Sequence, residues 1–204
     1  MTPEAEPHNT SLAIWDIPCP MVMGRSSKMK VGLRCSAGCQ LTGQQIEVHN
    51  ETGATKATGR VGAAAWPGTS GLYWTDLDFT APDTEGTHSW AVRFTARELE
   101  LPHEPAFSTF SLIIVKPPEH TVTVKVTEKD TQTPVQHAEV RLGVYRAATD
   151  ETGLAKVELP KGTYELNVCK IPYETFSEPV EVTEDVTLSV DVVAAVEPRQ
   201  EYWM

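Results

Sequence analysis

The chain has 204 residues, 40% of them hydrophobic and 22% charged, and carries a formal net charge of −11. That length suggests one or two domains, and the acidic balance argues against a protein that grips nucleic-acid phosphates or lies on an anionic membrane, because either partner needs a basic stripe. No run approaches the roughly 18 apolar residues of a membrane helix, and the opening MTPEAEPHNTSL lacks the basic and apolar regions of a secretory signal, so the expectation is a cytoplasmic protein, with a removed signal or export with a partner as the alternatives.

Residues 1–10 read as a disordered lead, acidic and without a period. Ser11 to Trp15 is predicted as a first strand, ended by Ile17-Pro18-Cys19-Pro20. Met29, Val31, Leu33 and Cys35 alternate with Lys30, Gly32 and Arg34, which gives a strand with one inner face. Ile46 and Val48 mark the next strand, and Glu51-Thr52-Gly53 turns it. Gly59 to Gly68 has no readable period and ends in the turn Trp66-Pro67-Gly68. Tyr73, Thr75, Leu77 and Phe79 then share a face, Trp90, Val92 and Phe94 point inward from the following strand, and Phe110, Leu112 and Ile114 alternate in the last. About seven short strands separated by turn signals, with an inward Trp and no helical period, predict an immunoglobulin-like sandwich over residues 11–116. The cysteines do not have the Cys–Trp–Cys spacing of antibody domains.

Lys116-Pro117-Pro118-Glu119 is the predicted boundary, since two prolines remove ladder donors and stiffen the connection. A second all-β domain follows over residues 117–196. Val122, Val124 and Val126 point in, with Thr123, Lys125 and Thr127 out. Val140, Leu142 and Val144 follow, then Val157 and Leu159, then Tyr164, Leu166 and Val168. Val180 and Val182 precede a last run of Val186, Leu188, Val190 and Val192. Asp150-Glu151-Thr152-Gly153 and Pro160-Lys161-Gly162 close hairpins between these strands, Gly supplying positive φ and Pro a preset one. At about 110 and 80 residues, each piece would bury on the order of 60% of its unfolded surface, enough for its own core.

From Thr149 the order T-D-x-x-G-x-A-x-V-x-L-P-x-G-x-Y-x-L-x-V, followed by Pro172-Tyr173-Glu174, resembles the carboxypeptidase regulatory-like and Cna-B-type domains, a prealbumin-like sandwich family. The resemblance covers about Glu119 to Val193. It implies a stalk, spacer or docking module rather than a particular chemistry. Members of the Cna-B type can carry an intramolecular isopeptide bond. Here Glu128 falls where the family's lysine belongs and Val168 where its glutamate belongs, so the resemblance implies no such bond. A purine-catabolic hydrolase of the same fold closes with Tyr-Arg-Gly-Ser, whereas this chain closes with Tyr202-Trp203-Met204.

Cys35-x-x-x-Cys39, with Cys19, has the residue types of a soft-metal site but not a common zinc spacing. The expectation is therefore no metal and no cofactor. Cys35 shares parity with Val31 and Leu33 and reads as a buried thiol. A disulfide from Cys19 to Cys35 or Cys39 is the alternative outside the cytosol. Cys169, opposite in parity to Leu166 and Val168, is expected to face away from the core and stay unpaired. The histidines at 8, 49, 88, 103, 120 and 137 fall in no nucleophile or H-E-x-x-H motif, so no catalytic residue is assigned.

Trp66, on its Pro-Gly turn, and Trp203, in the tail of residues 197–204, are expected to be exposed. Trp66, Tyr202, Trp203 and Met204 are the candidate interaction residues, of types enriched at interface cores. The sequence thus predicts two tandem β-sandwiches, immunoglobulin-like then prealbumin-like. Together they form a non-catalytic structural or protein-interaction module, an accessory subunit or spacer that meets a protein partner or a second copy of itself. A carbohydrate-binding module, using Trp66, Tyr73, Trp74 and Trp90, and a small hydrolase of the prealbumin-like fold are the alternatives.

Overall fold

The computed structural model describes residues 6–97 and 99–195. They form fifteen β-strands and no helix. The chain divides into two compact units, Met1–Val115 and Lys116–Met204. Each is a β-sandwich with its own core.

The first unit contains β1 (Thr10–Trp15), β2 (Met21–Val22), β3 (Ser26–Cys35), β4 (Gln45–His49), β5 (Thr55–Arg60), β6 (Tyr73–Thr80), β7 (Gly86–Phe94) and β8 (Ala106–Val115). One sheet runs β1-β3-β6 and the other β2-β8-β7-β4-β5. All pairs are antiparallel except the short β2, which runs parallel to β8 through Met21 and Val22. The alternation read in β3 holds: Met29, Val31, Leu33 and Cys35 are all buried. From the opposite sheet Trp90, Val92 and Phe94 meet them, with Leu112 and Ile114 beside. Phe79 and Phe110 close on Trp90 edge to face, at 5.8 and 6.3 Å between centroids.

Two elements of this unit were not predicted. β2 is two residues long and owes its place to the distant β8 rather than to a local pattern. β5, TKATGR, is an edge strand with no fully buried residue, so it has no alternation to read. Within the stretch read as a disordered lead, His8 makes a bridge to His103 and Thr10 starts β1.

The second unit contains β9 (His120–Glu128), β10 (Glu139–Leu142), β11 (Tyr145–Ala148), β12 (Leu154–Leu159), β13 (Gly162–Cys169), β14 (Phe176–Val182) and β15 (Val186–Val192). Its sheets are β11-β10-β13-β14 and β12-β9-β15, with β15 parallel to β9. Val122, Val124 and Val126 face Val140, Leu142, Leu166 and Val168 in one core. Each such aliphatic side chain, once fully buried, contributes about 1.5–3 kcal/mol.

Two sequence expectations fail here. Thr127, assigned outward, is buried, and its hydroxyl donates to Asp191 Oδ1 at 2.7 Å, which satisfies the oxygen inside. Val144, assigned to the inner face with Val140 and Leu142, is exposed, because Gly143 adopts φ 60° and turns the chain from β10 into β11.

Candidate metal centre

At the end of β3 the chain turns through Cys35-Ser36-Ala37-Gly38-Cys39. The Gly38 N–H donates to the Cys35 carbonyl at 3.1 Å, and Gly38 takes φ 74°, a value open to glycine at little cost. This turn brings both thiols to one spot. Separately, the segment before β1 lies alongside the loop between β7 and β8. The His8 N–H donates to the Pro102 carbonyl, and the Glu104 N–H donates to the His8 carbonyl, both at 2.9 Å. Thr10 Oγ1 also donates to the Glu104 carbonyl at 2.7 Å. The two histidine rings consequently meet edge to face, 5.2 Å between centroids.

The two pairs converge. One ligand atom from each of His8, Cys35, Cys39 and His103 lies within 4.8 Å of every other. His8 Nδ1 is 3.1 Å from Cys39 Sγ. His103 Nδ1 is 2.8 Å from the Leu101 carbonyl, which can only accept, so Nδ1 carries the proton and Nε2 presents its lone pair. That Nε2 is buried without a hydrogen-bond partner. The Ala37 N–H donates to Cys35 Sγ at 3.4 Å.

These surroundings separate the two thiols chemically. Burial pushes Cys35 up, but the backbone N–H groups of Cys39 and Ala37, with the Cys39 thiol, bring it below the ordinary thiol value. Cys39 is pushed up, because it gives its hydrogen bond to Cys35. A cleft of about 420 Å³, lined in part by Cys39, Leu101 and His103, opens beside the cluster.

The sequence had offered Cys35 and Cys39 with Cys19. Cys19 is exposed and stands outside the group. The two histidines that complete it were missed, since neither lies in a spaced motif. Their one local signal is that His103 is set between Pro102 and Pro105, a loop held stiff. All four cysteines are free thiols, and Cys169 lies on the outward side of β13, as its parity required.

A second polar cluster lies in the same unit. His88 Nδ1 is 2.9 Å from Glu51 Oε1, and His88 Nε2 is 2.9 Å from the Thr84 carbonyl. Both partners are acceptors, an arrangement that favours the doubly protonated ring. The hydrogen bond that Glu51 accepts raises the His88 pKa above its ordinary value, and the same bond lowers that of Glu51. The cleft beside them, about 330 Å³, is lined by Asn50, Lys56 and Asp83 among others.

Trp66 is half-buried rather than exposed. Its ring sits between Trp15 and Trp74, 5.0 Å from each, with interplanar angles of 77° and 86°. Tyr73 packs on the core while Trp74 takes the opposite face, and Trp90 is core. Tyr202, Trp203 and Met204 lie outside the described residues. The exposed large apolar side chains among the described residues include Ile171, 91% accessible, and Phe107, 74%.

No protein-family model matches the chain, and no curated protein matches it. Among solved structures it is similar to the Bacillus anthracis TIE protein (11% identity, TM-score 0.31, covering 94% of this chain and 42% of that one). It is similar to BcpA, the major pilin subunit of Bacillus cereus (12%, 0.33, covering 93% and 71%), and to the Yersinia pseudotuberculosis adhesin InvE (15%, 0.28, covering 85% and 58%). The chain thus spans less than half the length of the first of these. At these identities the likeness concerns the β-sandwich build alone. The cytoplasmic expectation is corrected: the solved structures the chain is similar to include a pilin subunit and an adhesin.

Proposed function

We propose that the chain is a non-catalytic structural or protein-interaction module, an accessory or spacer unit of a larger assembly, whose second sandwich is of the carboxypeptidase regulatory-like and Cna-B type. The observation that carries this reading is the build of the chain, two β-sandwiches each closed around its own core. His88, the histidine beside the polar cleft, has an acceptor against each ring nitrogen, an arrangement that disfavours a free lone pair for general-base work.

The carbohydrate alternative is weakened by the tryptophans, whose rings stand edge to face instead of side by side in one plane. A flat sugar ring needs a flat platform. In the second sandwich Val168 is buried in the core and Glu128 sits at the end of β9, which supports the reading that no isopeptide bond forms there. What remains is a pair of independently cored sandwiches with exposed apolar residues at Phe107 and Ile171, and large exposed apolar side chains more often mark protein contacts than small ligands.

The test is an activity and glycan screen on the purified chain, followed by size analysis of the tagged chain in its native source. The expected result is no turnover, no saturable change in tryptophan fluorescence, and elution in a complex larger than the chain. Ester or amide turnover that disappears in His88→Ala, or glycan binding that disappears in Trp66→Ala, overturns the proposal.

A further inference from the structure

We infer that His8, Cys35, Cys39 and His103 form a structural zinc site, closed by four protein ligands. The inference is independent of the module reading above, since it concerns how the first sandwich is held and not what the chain meets. It replaces the expectation of no metal ligands drawn from cysteine spacing.

Zinc binds thiolate sulfur at about 2.3 Å and imidazole nitrogen at about 2.0–2.1 Å, almost always tetrahedrally in structural sites. A tetrahedron of two such sulfurs and two such nitrogens has edges of about 3.3–3.8 Å. The four ligand atoms here already lie within 4.8 Å of one another, so each needs to move inward by less than the width of an atom. The edge from His8 Nδ1 to Cys39 Sγ, at 3.1 Å, is already shorter than a metal-bound edge and needs to open by only a few tenths of an ångström.

The ligands are also prepared in ways that packing alone does not require. His103 gives its Nδ1 proton to the Leu101 carbonyl at 2.8 Å, the outer hydrogen bond that fixes the tautomer and orientation of a metal-bound imidazole. Its other nitrogen is then a buried acceptor that meets no donor. Buried polar atoms are nearly always paired, and one that is not points to an ion or a water at that spot. Cys35 Sγ receives the Ala37 N–H, a bond that favours the thiolate a metal needs. The backbone bonds His8 N–H to Pro102 and Glu104 N–H to His8 hold the two histidines side by side without any ion.

A set of two thiolates and two imidazoles selects zinc among the common divalent ions, and four protein ligands leave no open position for water or substrate. The charges balance. Zn²⁺ enters, two Zn–S and two Zn–N bonds form, two thiol protons leave to solvent, and the site becomes neutral. The cleft beside Cys39 and His103 gives the ion a route in. A disulfide between Cys35 and Cys39 would use the same sulfurs but leave His103 Nε2 unpartnered.

The test uses the full chain produced with zinc in the medium. Elemental analysis should find about one zinc per chain. After removal by a chelator, Co²⁺ should restore binding with the absorption of a tetrahedral ion and a thiolate-to-cobalt charge-transfer band. Cys39→Ser and His103→Ala should each reduce the metal content to near zero with the β-sheet circular dichroism retained. If either variant fails to fold, the wild-type cobalt spectrum still decides, together with alkylation of Cys35 and Cys39, which metal should slow and chelation restore. A folded chain without metal that gives no such cobalt spectrum, a Cys35–Cys39 disulfide whose reduction yields no binding, or metal retained in the Cys35→Ser/Cys39→Ser double variant would each overturn the assignment.

Discussion

His88 and Glu51 are joined at 2.9 Å across the turn that ends β4 and the start of β7, and each shifts the other's titration. His88 is raised from 6.5, so its contribution is complete below that value and is lost as pH rises through its folded pKa. Glu51 is lowered from 4.5, so its contribution is complete above that value and is lost as pH falls through its folded pKa. The pair therefore stabilises most between 4.5 and 6.5. Glu51→Gln should lower the urea midpoint relative to wild type at about pH 5.5 and converge with it by about pH 9. A gap independent of pH would show that the pair contributes only shape.

In the second unit the buried hydroxyl of Thr149 donates to the Val135 carbonyl at 2.6 Å and accepts the Ala138 N–H at 2.8 Å. It ties the loop before β10 to the strand that leaves β11. Thr149→Val keeps the volume and strands both backbone groups, at a cost of about 1–3 kcal/mol. Thr152→Val, in an exposed turn bonded to Asp150, should cost less than Thr149→Val. Denaturation midpoints of the two variants would show it, and equal losses would mean that the buried bonds add nothing.

Gly153 and Gly53 both sit in turns with positive φ, 76° and 81°. A Cβ at Gly153 would lie 2.6 Å from the Val126 carbonyl oxygen, while one at Gly53 would meet open space. Gly53→Ala should cost about 1–2 kcal/mol from left-handed strain alone. Gly153→Ala must also push backbone from β9, and its loss should be clearly larger. If calorimetry ranks them the other way, the hairpin lies off β9.

Cys19 is exposed, Cys169 intermediate and Cys35 buried. Native-state alkylation should therefore modify Cys19 first, then Cys169, with Cys35 last. Mass mapping reads the order directly. Protection of Cys169 equal to that of Cys35 would move the register of β13 by one residue.

Both compact units have their own core, and the stretch from Lys116 to Glu119 is exposed and carries no strand. Limited proteolysis there is expected to release two fragments that keep β-sheet dichroism. Cooperative loss of both fragments on cutting would mean that the units do not fold alone.

The strands that could be read in the sequence are those with one wet and one dry face. β3, β7, β9 and β13 alternate for six or more residues, and their buried apolar side chains are the ones the pattern marks, with Thr127 of β9 and Gly32 of β3 buried besides. β5 could not be read because an edge strand with solvent along it has no apolar period to display. β2 could not be read because its two residues are held by β8, far along the chain. The site divides the same way. Cys35 and Cys39 are visible together because one turn carries both, whereas His8 and His103 are joined only by a parallel bridge that no local rule foretells. Thr127 shows the converse error, a polar residue assigned to solvent that is paid for inside by Asp191.

In both units the closing strand runs parallel to a strand from near the unit's beginning, β8 beside β2 and β15 beside β9. A growing chain therefore cannot complete either sandwich from neighbours in sequence. Each must hold open a vacant edge until its last strand has been synthesised, and such long-range closure is slow and leaves strand edges exposed to other chains. β8 ends at Val115 and β9 begins at His120, so the strand that seals the first unit is followed within a few residues by the one on which the second is built. Translation past Val115 is thus the moment when the first sandwich can shut before the next exposed edge emerges, and a pause there would favour correct assembly over pairing between chains.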